Sequence, residues 1–267
     1  RSRGLGDVYK RQSMPWLICA SAAWLTLVPC GMAFAESYPP LDNNNTKYSI
    51  KGEEAGKTIS GGNLSLSSVT DNIWYVIANW AQAGNAIEGT TTLLENFVLG
   101  NNTVLANGSA PTKYAIGSYA PNGTANSSYV YATKAIVYGD MIGGDGAGGA
   151  HLNRVEIQDT TVSRFLYGGR CENNSTENDS ASDNIVIVRN STVGGILLSN
   201  GNPSDGCLVG GFARYGNAQR NQVKLTGSII NAYEGFYGGH TRNGNASNNV
   251  IEVLSKSTIQ GLSLIHI

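Results

Sequence analysis

The sequence is poor in histidine, cysteine and charge, and each shortage excludes a class of function. It holds 3 His and 4 Cys in 267 residues, with no H-E-x-x-H and no paired C-x-x-C, so a metal site has few ligands to use. Charged residues are 14% of the chain and the net charge is −1, which favours neither nucleic-acid nor anionic-membrane binding. The G-D-S-G segment of secreted serine proteases is missing. No catalytic, cofactor-binding or metal residue is assigned.

Glycine and asparagine are abundant instead. The 34 glycines and many asparagines suit a turn-dense β protein better than a helical one. Apolar residues make up 41% of the chain, which excludes wholesale disorder. An all-β fold is therefore expected.

Both ends resemble translated sequencing adapter. Residues 2–12, SRGLGDVYKRQ, and the last six residues, LSLIHI, are what the two strands of a transposase-type adapter encode. We expect residues 1–12 and 262–267 to be artefacts and the chain between them to come from a longer reading frame. Without them the charge is (18 − 4) − (19 − 1) = −4. His151 and His240 are the histidines that then remain, and both are predicted to lie in loops.

An apolar run near the start resembles an export signal. Residues 15–37 end in the small-x-small pattern of Ala33 and Ala35, which signal peptidase prefers. This predicts a signal peptide over residues 13–35, cleaved after Ala35. A transmembrane helix and a lipoprotein anchor are the alternatives. The run is short for a membrane span, and Pro29 interrupts it. Pro29 also stands at a position where lipid attachment requires a small residue.

Two cysteines would remain in the mature chain, because cleavage removes Cys19 and Cys30. Cys171 and Cys207 are a possible disulfide, since export compartments are oxidising. Two unpaired thiols in loops are the alternative.

The second half of the chain repeats itself. Residues 210–230 align with residues 238–259 through Gly-Gly, Gly-Asn-Ala, the Asn221/Asn249 pair and alternating apolar residues. Looser copies occupy residues 153–162, 184–193 and 122–130. The period is therefore predicted near 28 residues.

Tyrosine and valine positions give the same period. Tyr138 to Tyr167 is 29 residues and Val209 to Tyr237 is 28, whereas Tyr167 to Val209 is 42, one unit plus 14. The surplus is assigned to polar loops at residues 171–182 and 200–206. Insertions in repeat proteins often collect on one face and serve recognition, so the side carrying these loops is the predicted binding face.

Each unit contains short apolar alternations such as V-K-L and I-E-V, which have the period of strands and are too brief for helices. Glycine pairs between them are predicted to form the repeat turns. One unit buries too little apolar surface to offset the entropy of ordering it, so the units must stack as a β-solenoid. The predicted turn glycines are Gly168, Gly169, Gly210, Gly211, Gly238 and Gly239.

The repeat phrase, Y-G-G, a polar loop with G-N-A, then N-x-V-x-L and S-x-I, resembles the passenger repeats of bacterial autotransporters, the type V secreted surface proteins. The resemblance implies a signal peptide, a right-handed parallel β-helix and a C-terminal β-barrel translocator, which this sequence lacks. It extends over residues 114–261, which are predicted to form the solenoid. Residues 36–113, which it hardly covers, are predicted to form an N-terminal cap or irregular β region. An aromatic stretch at residues 72–86 is expected to pack there, with ligand stacking as the alternative.

The chemistry expected of an enzyme is sparse. Residues 144–149 satisfy G-x-G-x-x-G but precede a strand pattern, so a turn is expected and not a dinucleotide site. Arg154, Glu156 and Asp159 lie on the polar side of a predicted strand. A β-helical polysaccharide-active enzyme would need them grouped in a groove with Lys224 and Glu252. That enzyme is one alternative and a passive stalk is the other. The leading hypothesis is a non-enzymatic surface adhesin with a host or neighbouring-cell ligand.

Overall fold

The computed structural model describes residues 48–50, 64–66, 69–70, 75–81, 84–86, 88–100, 113–172, 179–195, 206–254 and 256–261. All regular secondary structure in these ranges is β-strand. The signal-peptide residues and both adapter-like ends lie outside the described residues.

The strands form three seven-stranded sheets and one short sheet, all of them parallel. Sheet A contains β1 (Tyr48–Ile50), β4 (Tyr75–Trp80), β7 (Tyr114–Ala120), β10 (Asp140–Gly146), β14 (Phe165–Cys171), β18 (Cys207–Ala213) and β22 (Gly235–Thr241). Sheet B contains β2 (Leu64–Leu66), β5 (Thr91–Glu95), β8 (Tyr129–Thr133), β12 (Arg154–Gln158), β16 (Ile185–Arg189), β20 (Gln222–Thr226) and β24 (Val250–Val253).

Sheet C contains β3 (Val69–Thr70), β6 (Val98–Leu99), β9 (Ile136–Val137), β13 (Thr161–Val162), β17 (Thr192–Val193), β21 (Ile229–Asn231) and β25 (Thr258–Gln260). The short sheet D, at the corner between A and B, contains β11 (Ala150–His151), β15 (Ala181–Ser182), β19 (Ala218–Gln219) and β23 (Ala246–Ser247).

The chain passes through sheets A, B and C in turn and then returns to A, which confirms the predicted parallel β-helix. Each passage is one coil, and seven are described. Coils 1 to 7 span residues 48–70, 75–99, 114–137, 140–162, 165–193, 207–231 and 235–260.

The register confirms most of the predicted repeat. Tyr167 pairs with Val209 and Val209 with Tyr237, at the predicted spacings of 42 and 28. The alignment of Tyr138 with Tyr167 is wrong, because Ile142 is the partner of Tyr167 and the local period is 25. Tyr138 instead lies in the short connection that enters β10.

The sheets continue upstream of residue 114. Strands β4, β5 and β6 pair in parallel with β7, β8 and β9, so residues 75–99 form a coil of the same kind. Tyr75 stacks on its register partner Tyr114 with ring centroids 5.2 Å apart, and both are buried. Tyr75 therefore packs within sheet A, as the packing interpretation of residues 72–86 expects.

The glycine pairs are not turns, contrary to the sequence prediction. They lie in the middle of sheet A strands, and none has a positive φ. A Cβ on Gly169 would come within 2.5 Å of the Asn184 side chain, and one on Gly168 within 2.3 Å of the Gly210 carbonyl oxygen. Glycine is required because an asparagine and the next coil approach the strand closely. The same correction holds for Gly210, Gly211, Gly238 and Gly239.

Sharp corners lie at the ends of the sheet B strands in coils 2 to 7. A residue with positive φ precedes the strand at Ser127, Leu152, Asp183, Arg220 and Asn248. In coils 2 to 7 a second residue with positive φ follows the sheet B strand, at Asn96, Lys134, Asp159, Asn190, Gly227 and Lys256. Asn, Asp and Gly tolerate this conformation best. Stacking therefore holds the bulkier residues in it.

The interior is a continuous apolar column. Val155, Val186 and Val223 are register partners in sheet B, and each is fully buried. The outer side of sheet A is also apolar and buried, with Tyr167 and Val209 in a second cluster. Sheet A is therefore packed on both faces.

Candidate functional site

A ladder of asparagines runs through the corner between sheets D and B. Asn153, Asn184, Asn221 and Asn249 occupy one position in successive coils. Asn184 donates its backbone N–H to Oδ1 of Asn221 at 3.1 Å and its Nδ2 to the same oxygen at 2.9 Å. Asn153 and Asn221 repeat both bonds to the next asparagine.

The side chains of Asn184, Asn221 and Asn249 also reach back to sheet D. Nδ2 of Asn184 donates to the Ala150 carbonyl oxygen at 2.9 Å, and Nδ2 of Asn221 to that of Ala181 at 3.0 Å. Asn153, Asn184 and Asn221 are fully buried. Their amides therefore satisfy backbone groups that would otherwise be stranded in the interior.

Hydroxyl groups form a second ladder at the corner between sheets B and C. Thr160 N–H donates to Ser191 Oγ at 3.0 Å, and Ser191 N–H donates to Ser228 Oγ at 3.2 Å. The Ser228 N–H donates in turn to Ser257 Oγ at 3.3 Å. In coils 4, 5 and 6 both corners of the sheet B strand are thus fixed to the next coil.

Coil 7 forms an open end. Strands β22, β23, β24 and β25 each end the order of their sheet. The inward-facing Val253 is 47% exposed, whereas its partner Leu225 is fully buried. A cavity of about 520 Å³ opens here beside Tyr237, His240, Asn249 and Ile251.

A histidine and an arginine border this open end. His240 stacks on Tyr237 with ring centroids 4.6 Å apart and lies 5.4 Å from the Phe212 ring. Burial, aided by the charge of Arg242, lowers the pKa of His240 to about 4. Within the described ranges neither His240 Nδ1 nor Arg242 Nε has a hydrogen-bond partner. Both histidines lie in strands, β11 and β22, so the loop prediction for them is wrong.

The two predicted binding loops lie on opposite borders of sheet A. The first leaves the end of β14 and the second enters the start of β18. Residues 173–178 and 196–205 lie outside the described residues. Because the strands between the two borders are seven residues long, the loop bases are about 20 Å apart. They flank sheet A and do not share one corner.

The predicted pairing of Cys171 with Cys207 is wrong. Cys207 is in register with Phe165 and Cys171 with Ala213, at opposite ends of β14 and β18. Six residues of strand separate them by about 20 Å, whereas a disulfide needs Cα atoms about 4.4–6.8 Å apart. Cys171 holds a buried thiol that donates to the Ala147 carbonyl oxygen at 3.3 Å.

Sequence reasoning missed an ion pair on sheet A. Arg170 donates two hydrogen bonds to Asp145, from Nη2 to Oδ2 at 2.7 Å and from Nε to Oδ1 at 3.2 Å. Both side chains are 7% exposed. Burial, and then the Asp145 charge, raises the pKa of the neighbouring Tyr119. The two residues are register partners 25 positions apart, which only the correct period could have indicated.

The carboxylates proposed for an enzyme do not form an acid–base pair. Glu156 is bound by Arg154 at 2.6 Å and by Arg189, and Tyr129 donates to it at 3.3 Å. Lys224 pairs with Glu252 at 3.2 Å on the same outer face of sheet B. Asp159 lies apart, at a corner with φ 49°. Each oxygen of the Glu156 carboxylate is thus in contact with an arginine.

A second group could be mistaken for a nucleophilic site. His151 Nδ1 lies 2.8 Å from Ser182 Oγ, and burial lowers the His151 pKa. Bonds from Arg220, and then one from Ser182, lower the pKa of Asp183. A catalytic triad needs the carboxylate on the imidazole. Here the carboxylate contacts the serine and an arginine instead, so the group ties coils 4, 5 and 6 together.

The described residues test some of the remaining sequence predictions. Residues 144–146 belong to strand β10 and only residues 147–149 form the connection to β11, so the predicted turn is confirmed for the second half of this segment alone. In the described part of the chain no three His, Cys, Asp or Glu side chains gather as metal ligands, and no helix is long and apolar enough to cross a membrane.

The chain was compared with protein-family models, curated proteins and solved structures, and none of them matches it.

Proposed function

We propose that this protein is the N-terminal passenger portion of an autotransporter-like bacterial surface protein that acts in adhesion or surface display. In this proposal a signal peptide directs export, and the β-helix holds polar loops away from the cell toward a ligand on a host or neighbouring cell. A C-terminal β-barrel translocator would be the export partner.

One observation carries the proposal: polar insertions interrupt the stack at both borders of sheet A. Coil 2 also has a long connection to sheet A, residues 100–113. Coils 4 and 6 need only two or three residues to pass from sheet C to sheet A, whereas coil 5 uses 13, from Gly194 to Gly206. The asparagine and hydroxyl ladders join coils 4 to 7 and give partners to backbone groups at their corners. Long loops on a rigid scaffold are typical of binding proteins.

The described charged groups support a role without catalysis. The buried pair Asp145–Arg170 and the Glu156 cluster are closed ion pairs, and neither borders the cavity at the open end. Charges of this kind stabilise strands and fix their register.

The experiment is to fuse the chain to a bacterial β-barrel translocator and measure adherence to host epithelial cells and to neighbouring bacteria. Residues 173–178 and 200–205 are replaced separately by Gly-Ser segments of equal length. A matched control replaces Lys224 with Gln on the outer face of sheet B.

We expect surface display in all variants, and loss of adherence in at least one loop variant but not in the control. Adherence no greater than that of cells displaying the translocator alone would contradict adhesion and favour the passive stalk. Retention of the whole chain inside the cell would contradict the export assignment.

A further inference from the structure

The open end repeats the chemistry of the coil-to-coil contacts beneath it. In coils 4, 5 and 6 the ladder asparagine donates its backbone N–H and Nδ2 to an asparagine in the next coil. Asn249 accepts both bonds from Asn221 and uses Nδ2 to reach the Ala218 carbonyl oxygen at 2.9 Å. No described residue accepts the Asn249 backbone N–H, which faces the open end.

We propose that the open end is a stacking surface for one further coil of the same repeat, joined in cis. That coil would place an asparagine in register with Asn249 and apolar residues in register with Ile251, Val253 and Ile259. This inference concerns the surface itself and holds whether or not the protein is an adhesin.

A glycine supplies independent support. In coils 4 to 6 the first glycine of each pair is forced by the next coil, since a Cβ on Gly143, Gly168 or Gly210 would lie 2.2–2.3 Å from a carbonyl oxygen there. At Gly238 the nearest atom is Asn249 Cβ at 3.1 Å, and the φ is not positive. Coil 7 therefore keeps a glycine at a position where, in coils 4 to 6, a carbonyl oxygen of the next coil leaves no room for a Cβ.

The geometry favours a coil over a small ligand. Among the described strands none pairs with the outer edges of β22, β24 and β25, which belong to three sheets and face the same end. Only a chain that passes along all three can pair them at the strand spacing of about 4.8 Å. A molecule seated in the cavity would cover Tyr237, His240 and Asn249 but would leave the edge of β25 open.

The test inserts a second copy of residues 232–260 directly after Gln260 of the full chain, which preserves the spacing of Asn231 to Gln260. A first variant changes the inserted asparagine that corresponds to Asn249 to Ala. Its matched control changes the inserted asparagine that corresponds to Asn243, an exposed loop residue. The readout is amide hydrogen exchange, resolved at Asn249 and along β24.

In the extended chain we expect exchange at the Asn249 amide to slow by at least about tenfold, the equivalent of one net hydrogen bond. The control should keep this protection, and the first variant should lose it at Asn249. A Gly238→Ala substitution should leave the original chain folded but abolish the protection in the extended chain.

Several outcomes would overturn the proposal. One is an unchanged Asn249 exchange rate in an extended chain that is folded by circular dichroism. Another is protection already present in the original chain. If that protection rises with protein concentration, a second copy covers the surface, and if it does not, some other group covers it.

Discussion

Coils 6 and 7 have closely similar sequences and the same register, yet they differ in burial. Val223 and Leu225 of coil 6 are fully buried, whereas Val253 at the position of Leu225 is 47% exposed. The difference lies in the neighbours and not in the residues, because coil 6 is covered on both sides and coil 7 on one. The comparison teaches that this fold is stabilised between coils and hardly at all within one.

The largest expected effect comes from removing a ladder asparagine between two coils. Asn221→Ala deprives the buried Asn184 N–H and Nδ2 of their acceptor and the Ala181 carbonyl of its donor. Each buried polar group left without a partner costs about 1–3 kcal/mol, so we expect a loss of about 4 kcal/mol. Asn249→Ala should cost about 1 kcal/mol, because water reaches the open end. Urea unfolding of both variants measures the difference, and equal losses would contradict this account.

The next effect comes from the second glycine of the pair. A Cβ on Gly211 would lie 2.3 Å from Asn221, which coils 5 and 7 hold in place. Overpacking of this kind costs about 1–3 kcal/mol, and we expect Gly211→Ala to fall in the upper part of that range. Gly239→Ala meets Asn249 at 2.4 Å, but that side chain has no coil above it and can shift. Thermal unfolding should show a clearly smaller loss for Gly239→Ala. Gly148→Ala, with no atom nearer than 3.5 Å, is the neutral control.

A smaller effect should depend on pH. His240 stands where coil 6 has Phe212, and its pKa of about 4 lies below the usual 6.5. Between these values the unfolded chain binds more protons, so the contribution is complete above pH 6.5 and is lost as pH falls toward 4. Because solvent reaches coil 7, we expect only about 1–2 kcal/mol.

The measurement compares His240→Phe with the original protein by urea unfolding at pH 7 and pH 4. The phenylalanine variant should lose less stability on acidification. Other titrating groups, such as His151 and Glu172, are common to both proteins and cancel in the difference. A parallel decline would show that His240 is not the cause.

The smallest expected effect concerns the outer face of sheet B. Lys224 and Glu252 pair at 3.2 Å, but their side chains are 43% and 42% exposed. Exposed pairs contribute about 0–1 kcal/mol, so Lys224→Gln should change the free energy of unfolding by less than about 0.5 kcal/mol. Asp145→Asn, which breaks a buried bidentate pair, is the contrasting variant at about 3 kcal/mol or more. Similar losses in chemical denaturation would show that burial does not separate these pairs.

Much of the fold could be predicted because the alternation of apolar residues and the spacing of the repeats are visible in the sequence. Alternating residues in V-K-L and I-E-V indicated strands, and the 28- and 42-residue spacings gave the true register between coils 5, 6 and 7. The register of coil 4 was missed because Tyr138 resembles Tyr167 in sequence but precedes its strand. The coil at residues 75–99 was missed because its apolar residues lack the glycine and asparagine marks of the later copies.

The candidate site was less predictable. The Cys171–Cys207 pairing was a reasonable expectation from redox chemistry, but parallel register places the two residues at opposite strand ends. The contacts of Asp145 with Arg170 and of His151 with Ser182 join residues 25 and 31 positions apart. No local pattern marks such contacts, because they depend on which coils lie next to each other.

The sequence by itself determined the strand alternation, the approximate period and the need to stack, since side-chain spacing and chain entropy are local properties. Only the tertiary structure decided what the repeated polar residues do. Asparagine and glycine serve turns in isolation, and the sequence could offer no other reason for a glycine pair. In the stack, the asparagine amides satisfy buried backbone groups of neighbouring coils. The glycines leave room for those amides and for the next coil's carbonyl, a steric demand that exists only between coils.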